Sequence, residues 1–408
     1  LALAVLLALL ASVGSLRAQR TWVVDDTMAA GADYPDLQSA CAAATRGDRI
    51  QIRLGSGNPY TLPAPFEKAL TIVGLGAIKP VLMMATGSNG WLRCMANEVM
   101  IFDNLELRGA NSLALTMLLY ENRGLIVFSR VRSLGYMYAS SRYPNRVVLA
   151  GSTIQHGFAS VYLSRTRMWL LDSETQTQSA VDSGLNGAIT VDNLSTLWVV
   201  GGRHTGGDGL GDCWPLRPGF LGEPAIDARD GPLVIAGPAT MLGGLQSTVN
   251  PVCGAGGGPW RVGPVSSHCL PGANATLIDP MVAGGPFPST ETCSLNQRHE
   301  MPALLPGPAA RGQTQRIDAY GPQQSIVSVF ASFLTPYEPI TLPIGDVWLD
   351  PTLTVHVGSG GVDAQRRLVL TTTIPAWLAI GDALVYQAVS YSPSGAFEIS
   401  APGIAVVH

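Results

Sequence analysis

Short apolar runs recur along the first two thirds of the chain, each followed by polar or small residues and, in most copies, a glycine. They read Leu70-Thr71-Ile72-Val73-Gly74, Val99-Met100-Ile101-Phe102-Asp103, Leu125-Ile126-Val127-Phe128-Ser129 and Val147-Val148-Leu149-Ala150-Gly151. Trp169-Leu170-Leu171-Asp172-Ser173, Trp198-Val199-Val200-Gly201-Gly202 and Leu233-Val234-Ile235-Ala236-Gly237 continue the series. With Val73, Phe102, Phe128, Leu149, Leu171, Val200 and Ile235 aligned, the steps are 29, 26, 21, 22, 29 and 35 residues. A variable period with a fixed floor suits one turn of a three-sided parallel β-coil carrying loops of different length, since a propeller blade takes about 40 residues. The apolar positions then stack into an interior that no single turn can bury alone.

The ends of this repeat have their own patterns. Asp33 to Asp48 opens with an Asp/Pro start signal, runs through alanines and stops at Gly47, which predicts a short amphipathic helix. Ile50-Gln51-Ile52-Arg53-Leu54 alternates as a first strand. A solenoid end exposes apolar side chains and unpaired backbone, so a plug of this kind is needed there. Pro251 to Pro308 is rich in Gly and Pro, with Ala275 to Asp279 as one last turn. Beyond it, Ser325 to Phe333, Ile340 to Leu349, Leu353 to Val357, Arg367 to Ile374, Ala383 to Tyr391 and Ile404 to Val407 are short alternating runs separated by turn chemistry, the pattern of a small antiparallel β-sandwich.

The strand Trp22-Val23-Val24-Asp25, the phrase Tyr34-Pro35-Asp36-Leu37-Gln38-Ser39-Ala40, then Gly47-Asp48-Arg49-Ile50 and Leu70-Thr71-Ile72-Val73-Gly74-Leu75-Gly76 follow one another in an order that resembles secreted proteins of the pectin-lyase-like superfamily. The resemblance covers roughly residues 20 to 285. It implies an all-β chain: a right-handed parallel β-helix with an N-terminal capping helix. The expected organisation is a signal peptide at 1–18, the β-helix at 19–287, a Gly/Pro-rich linker at 288–308 and the β-sandwich at 309–408. The superfamily spans lyases, hydrolases, epimerases, tailspikes and adhesins, so the resemblance speaks to fold and not to activity.

The compartment follows from the first residues. Leu1 to Val13 is an almost unbroken run of Leu, Ala and Val, followed by small residues and then Gln19 and Arg20, which reads as a secretory signal cleaved after Ala18 or Ser15. It is shorter than the roughly 20 apolar residues of a membrane span. The expected location is therefore secreted or cell-surface. In that setting Cys41, Cys94, Cys213, Cys253, Cys269 and Cys293 read as disulfide partners, with Cys41 paired to Cys94 and the other four among themselves; buried free thiols are the alternative. Six cysteines allow 15 pairings, and their spacing is no metal-ligand pattern.

Composition narrows the partners. Apolar residues make up 47% and charged residues 13%, which excludes a disordered chain, and the 46 glycines and 29 prolines lack the period of collagen. A net charge of −4 with Lys68 and Lys79 as the only lysines argues against nucleic acid as a partner.

Chemistry on a solenoid sits in outward columns and loop insertions. Four residues past the aligned apolar position stand Glu106, Arg132, Thr153, Thr175 and His204, with Asp103, Ser129 and Asp172 in a neighbouring column. Glu106, Arg132 and Asp172 are thus candidate binding residues, although a solvated outer face looks the same. The densest polar cluster runs from Arg203 to Trp214. In it His204 is the candidate proton-transfer group, Asp208 and Asp212 are candidate acids, Arg203 would pair a substrate carboxylate, and Trp214 would either stack on a sugar ring or pack under the loop. Its Gly206-Gly207-Asp208-Gly209-Leu210-Gly211-Asp212 run has the Gly-rich backbone and two aspartates that could wrap a Ca²⁺ but misplaces the second aspartate for a β-roll site, so no metal and no cofactor is expected, with Ca²⁺ as the alternative. Arg130, Arg132, Arg142 and Arg146 with Tyr136, Tyr138 and Tyr143 form a basic, aromatic stretch suited to an acidic polysaccharide or to water. The Asn-Thr-Asp, Asp-Asp and Gly-His-Gly phrases of the superfamily's galacturonan hydrolases are missing, so no family active-site residue transfers. The expected function is an exported, non-catalytic β-helix protein for surface attachment, carbohydrate binding or cell-envelope structure. The alternative is a polysaccharide lyase or glycoside hydrolase.

Overall fold

A computed structural model describes residues 19–84, 91–109, 115–156, 160–177, 179–180, 188–192, 194–206, 208–209, 225–228, 233–242, 260–262, 269–271, 276–278, 302–335 and 338–408. The region read as a signal peptide lies outside them. Parallel strands stack from Thr21–Val24 to Thr276–Ile278 and wind as a three-sided β-helix. The first face holds, among others, Arg49–Ile52, Thr71–Gly74, Val99–Asp103, Leu125–Ser129, Thr196–Val200 and Leu233–Ala236. The second holds nine strands from Tyr60–Leu62 to Thr276–Ile278, and the third includes Trp91–Leu92, Leu115–Tyr120 and Ile189–Asp192. Two long strands, Tyr136–Ala150 and Val161–Leu171, bend round the corner and join the third face to the first.

The interior column of the first face is Ile72, Phe102, Phe128, Leu149, Leu170, Val199 and Ile235, each in register with the next. Three positions of the sequence alignment, Val73, Leu171 and Val200, therefore slip by one residue. The physical reason lies on the far side of the sheet. Trp169, Leu171 and Val200 point outward and are buried there as well, so these runs are apolar on both faces and carry no period of two.

One corner column makes the tight turn from the first to the second face. Asn104, Arg130, Gly151, Asp172, Gly201 and Gly237 all have φ between 47° and 69°. Each left-handed residue turns the chain in one step, and in the first four the N–H bonds the next coil: Asn104 N to Ser129 O, Arg130 N to Ala150 O, Gly151 N to Leu171 O and Asp172 N to Val200 O, at 2.8 to 3.0 Å. Non-glycine side chains tolerate this conformation at a cost that the repeated ladder offsets.

The predicted plug is the helix Leu37–Ala43, which starts four residues later than its first polar signal. Asp36 caps it by accepting from Ser39 N at 2.7 Å. At the other end Lys68 Nζ donates to the carbonyls of Cys41, Ala42 and Ala44 at 2.7, 3.1 and 2.9 Å. One ammonium thus satisfies three helix-end acceptors with a charge of the favourable sign. Lys68→Ala is expected to destabilise the chain by about 1.5–3 kcal/mol in urea titrations, the size of a lost charged hydrogen bond.

Cys41 and Cys94 are free thiols, which corrects the expected bridge between them. Both are buried in the interior cluster but at different levels: Cys41 lies on the capping helix, while the Cys94 N–H donates to Asn122 Oδ1 one coil further along. Burial pushes both thiols up to about 12, as small inert hydrophobes. Cys213, Cys253 and Cys293 lie outside the described residues, and of Cys269 only the backbone, in strand Cys269–Pro271, is described.

The C-terminal module is an antiparallel sandwich. One sheet joins Ala303–Pro306, Thr314–Tyr320 and Arg367–Thr373; the other joins Val355–Gly361, Ile326–Phe333 and Ala383–Tyr391, with Phe397–Ile399 and Gly403–Val406 alongside. Its first strand, Ala303–Pro306, falls in the stretch read as linker. The outer side of the second sheet seats on the first face of the solenoid. Trp169 and Trp198 stack at 4.7 Å, Trp348 meets Trp169 edge-on at 4.8 Å, and Val385, Ile404 and Val406 complete the contact. Arg49, from the first coils, pairs with Asp382 at 2.7 Å. Among the described residues no helix is long and apolar enough to cross a membrane.

Candidate functional site

The three outer faces differ in what they offer a ligand. The first is covered by the module. The second carries a column of Glu106, Arg132, Thr153, Glu174, Arg203 and Thr240 in register. Glu106 pairs with Arg108 at 2.5 Å and with Arg132 at 3.6 Å, and Gln155 donates to Gln176 at 3.2 Å. Glu106 and Arg132 thus share a column as expected, and Arg203 is exposed in it.

His204 and Thr175 do not belong to that column. The one-residue slip moves them to the opposite side, because a strand alternates faces at every residue. His204 is fully buried inside the solenoid, with Nδ1 3.0 Å from Thr175 Oγ1. Burial pushes its imidazole down to about 4. The ring lies in the core, away from any outer groove where a substrate would meet it. Asp208 is described through its backbone alone, in the two-residue strand Asp208–Gly209 paired with Ser179–Ala180; Asp212 and Trp214 lie outside the described residues. Among the described residues no three His, Cys, Asp or Glu side chains come together as a metal site would need.

Asp172 occupies the left-handed corner rather than a strand column. With Arg130, Pro306 and Val406 it lines a cavity of about 240 Å³ at the seam between corner and module. Partial burial, with Asp318 nearby, raises its carboxyl above the ordinary carboxylate value. Asp103 is wholly buried and holds Arg130 through two hydrogen bonds, a structural pair that braces the corner.

The third face is the open aromatic one. Trp91, Leu118, Tyr138, Tyr162 and Thr190 share one column on the outer side, in which Trp91 is exposed and Leu118 and Thr190 are buried. Tyr138 and Tyr162 stack at 5.0 Å with planes 1° apart, and Trp91 meets Tyr120 at 5.3 Å. The Tyr162 hydroxyl donates to Asp192 Oδ2 on the next coil at 2.9 Å. Trp91 is 41% exposed and Tyr143 42%. The Arg123 guanidinium lies 3.8 Å over the Tyr143 ring, and Arg142 pairs with Glu121 at 3.7 Å. Of the basic, aromatic stretch seen in the sequence, this face carries Tyr138, while Tyr143 and Arg142 stand at its corner with the first face, where the long strand bends. The face adds Trp91, Tyr120 and Tyr162 and the corner adds Arg123, residues that the sequence pattern did not single out. Their signal was register: aromatic residues one coil apart become neighbours only when the coils are aligned. Arg130 and Arg132 stand on other surfaces, and Arg146 is buried. No protein-family model matches this chain, and no curated protein matches it.

Proposed function

We propose that the chain is an exported β-helix protein of the pectin-lyase-like kind whose solenoid is a non-catalytic scaffold that binds carbohydrate at a cell surface or in its envelope. The observation that carries this reading is the third face, where Trp91, Tyr120, Tyr138 and Tyr162 stand on successive coils, with Arg123 over Tyr143 and Arg142 at the adjoining corner. Aromatic edges, phenolic hydroxyls and guanidinium groups are the groups that hold sugar rings and their hydroxyls or carboxylates. A second support is that, on the second face, Glu106 is already paired with Arg108 and Arg132. The Leu1 to Val13 run supports export.

The test is affinity electrophoresis of the mature chain through gels cast with neutral or acidic polysaccharides. Retardation in at least one gel is expected, with the apparent affinity falling about tenfold or more in Trp91→Ala and Tyr143→Ala, as for anchoring aromatic residues at an interface. Both side chains are exposed, so the fold should survive. Mobility that no polysaccharide changes would sink the reading.

A further inference from the structure

The C-terminal module carries a hydrogen-bonded chain of three side chains that carbohydrate binding does not use. His356 Nε2 lies 2.7 Å from Ser359 Oγ, and Ser359 Oγ lies 2.8 Å from Ser328 Oγ on the neighbouring strand. In a regular strand residues three apart point to opposite sides. His356 and Ser359 meet because the strand is bulged: Val329 pairs with Gly358 and Phe330 with His356, which leaves Val357 as an extra residue. Bulges re-aim side chains in this way and are frequent beside active sites. Phe330 packs on the imidazole with ring centroids 5.3 Å apart and holds it next to the hydroxyl.

The surroundings leave this group open. His356 and Ser359 are exposed, and among the described strands Val355–Gly361 pairs with Ile326–Phe333 alone, so its other edge is free. Val362 N donates to Ser325 O. Antiparallel pairing alternates, so the bonded positions on the strand are Gly360 and Gly358, and the N–H groups of Ser359 and Gly361 point out of the free edge. Glycines flank Ser359 on both sides, and beside Gly361 the space a Cβ would take is empty.

We propose that Ser359 is a nucleophile toward small O-acyl esters, with His356 as its base and Ser328 as a positioning residue. Ser328 donates to Ser359 Oγ, which turns the Ser359 proton toward Nε2. As Ser359 Oγ bonds to the ester carbonyl carbon, that proton passes to His356 Nε2. Collapse of the tetrahedral adduct breaks the bond to the alcohol, which leaves with the proton. A water molecule, deprotonated by the same imidazole, then releases the carboxylic acid and restores Ser359. This activity belongs to a different surface from the carbohydrate face and does not depend on it.

The test uses the full mature chain with 4-nitrophenyl acetate and, separately, a fluorophosphonate probe. Nitrophenolate release above buffer and a phosphonylated Ser359 peptide by mass spectrometry are expected. Both should fall about 100-fold or more in Ser359→Ala and in His356→Gln, the usual range for loss of a general base, while the melting temperature stays unchanged. Ser328→Ala should slow both readouts and Ser328→Thr restore them, which a purely structural hydroxyl would not do. A Ser359 that takes no probe, or that reacts equally fast in His356→Gln, overturns the proposal.

Discussion

Truncating Trp169 to alanine is expected to cost about 3–5 kcal/mol, the range for removing a large aromatic from a filled core. The side chain is 2% exposed although it points away from the solenoid interior. It stacks on Trp198 on one side and meets the edge of Trp348 on another, so it is the contact through which the module is seated. Its loss leaves a cavity that neither sheet can close, because both are hydrogen-bonded frames with the remaining apolar side chains already in contact. Equilibrium urea unfolding should show a lower midpoint, and the circular dichroism of the stacked indoles should vanish. A cost under about 1 kcal/mol would mean that the module is held by other contacts, with the Arg49–Asp382 pair as the first to test.

This interface also marks where the sequence stops being readable. The coil length, the capping helix and the antiparallel module were legible, because each rests on local periodicity and turn chemistry. The register was not legible wherever both sides of a strand are apolar. Trp169-Leu170-Leu171 offers no way to tell the inward residue from the outward ones until the module that covers the outer side is known. The same slip explains why His204 read as a surface residue, since one position decides between the interior and the solvent. Corner residues were hidden for another reason. Asn104, Arg130 and Asp172 adopt left-handed backbone without the glycine that would announce it. The His356–Ser359 contact depends on a bulge, and a bulge is a property of two paired strands, not of one.

The stability of the chain is expected to fall on acidification well before carboxylates such as Asp25 and Asp48 titrate, and His204 is the reason. Its ring is fully buried against Thr175, and burial lowers its folded value to about 4 from an unfolded 6.5. Above pH 6.5 the group is neutral in both states and contributes no pH dependence. As pH falls below 6.5 the unfolded chain takes up the proton first, so stability drops by about 1.4 kcal/mol per pH unit, and the loss levels off near pH 4 at about 3 kcal/mol. His408, whose imidazole burial also lowers, adds a slope of the same sign. Asp25 and Asp48, held below their ordinary values by hydrogen bonds from Thr27 and from the Thr45 and Arg20 backbone, act only at lower pH. Asp172, whose carboxyl burial raises, acts with the opposite sign as pH falls, so the histidine contribution between pH 6.5 and 5 is read as the difference in slope between the parent chain and a His204 variant. Urea midpoints measured across that range should decline in the parent chain and flatten in His204→Leu. The slope is the diagnostic quantity, because the substitution also shifts the absolute stability by leaving the Thr175 hydroxyl without its partner. An unchanged slope in His204→Leu would show that the imidazole reaches solvent when protonated, and that the coil opens locally at Arg203–Thr205 without unfolding as a whole.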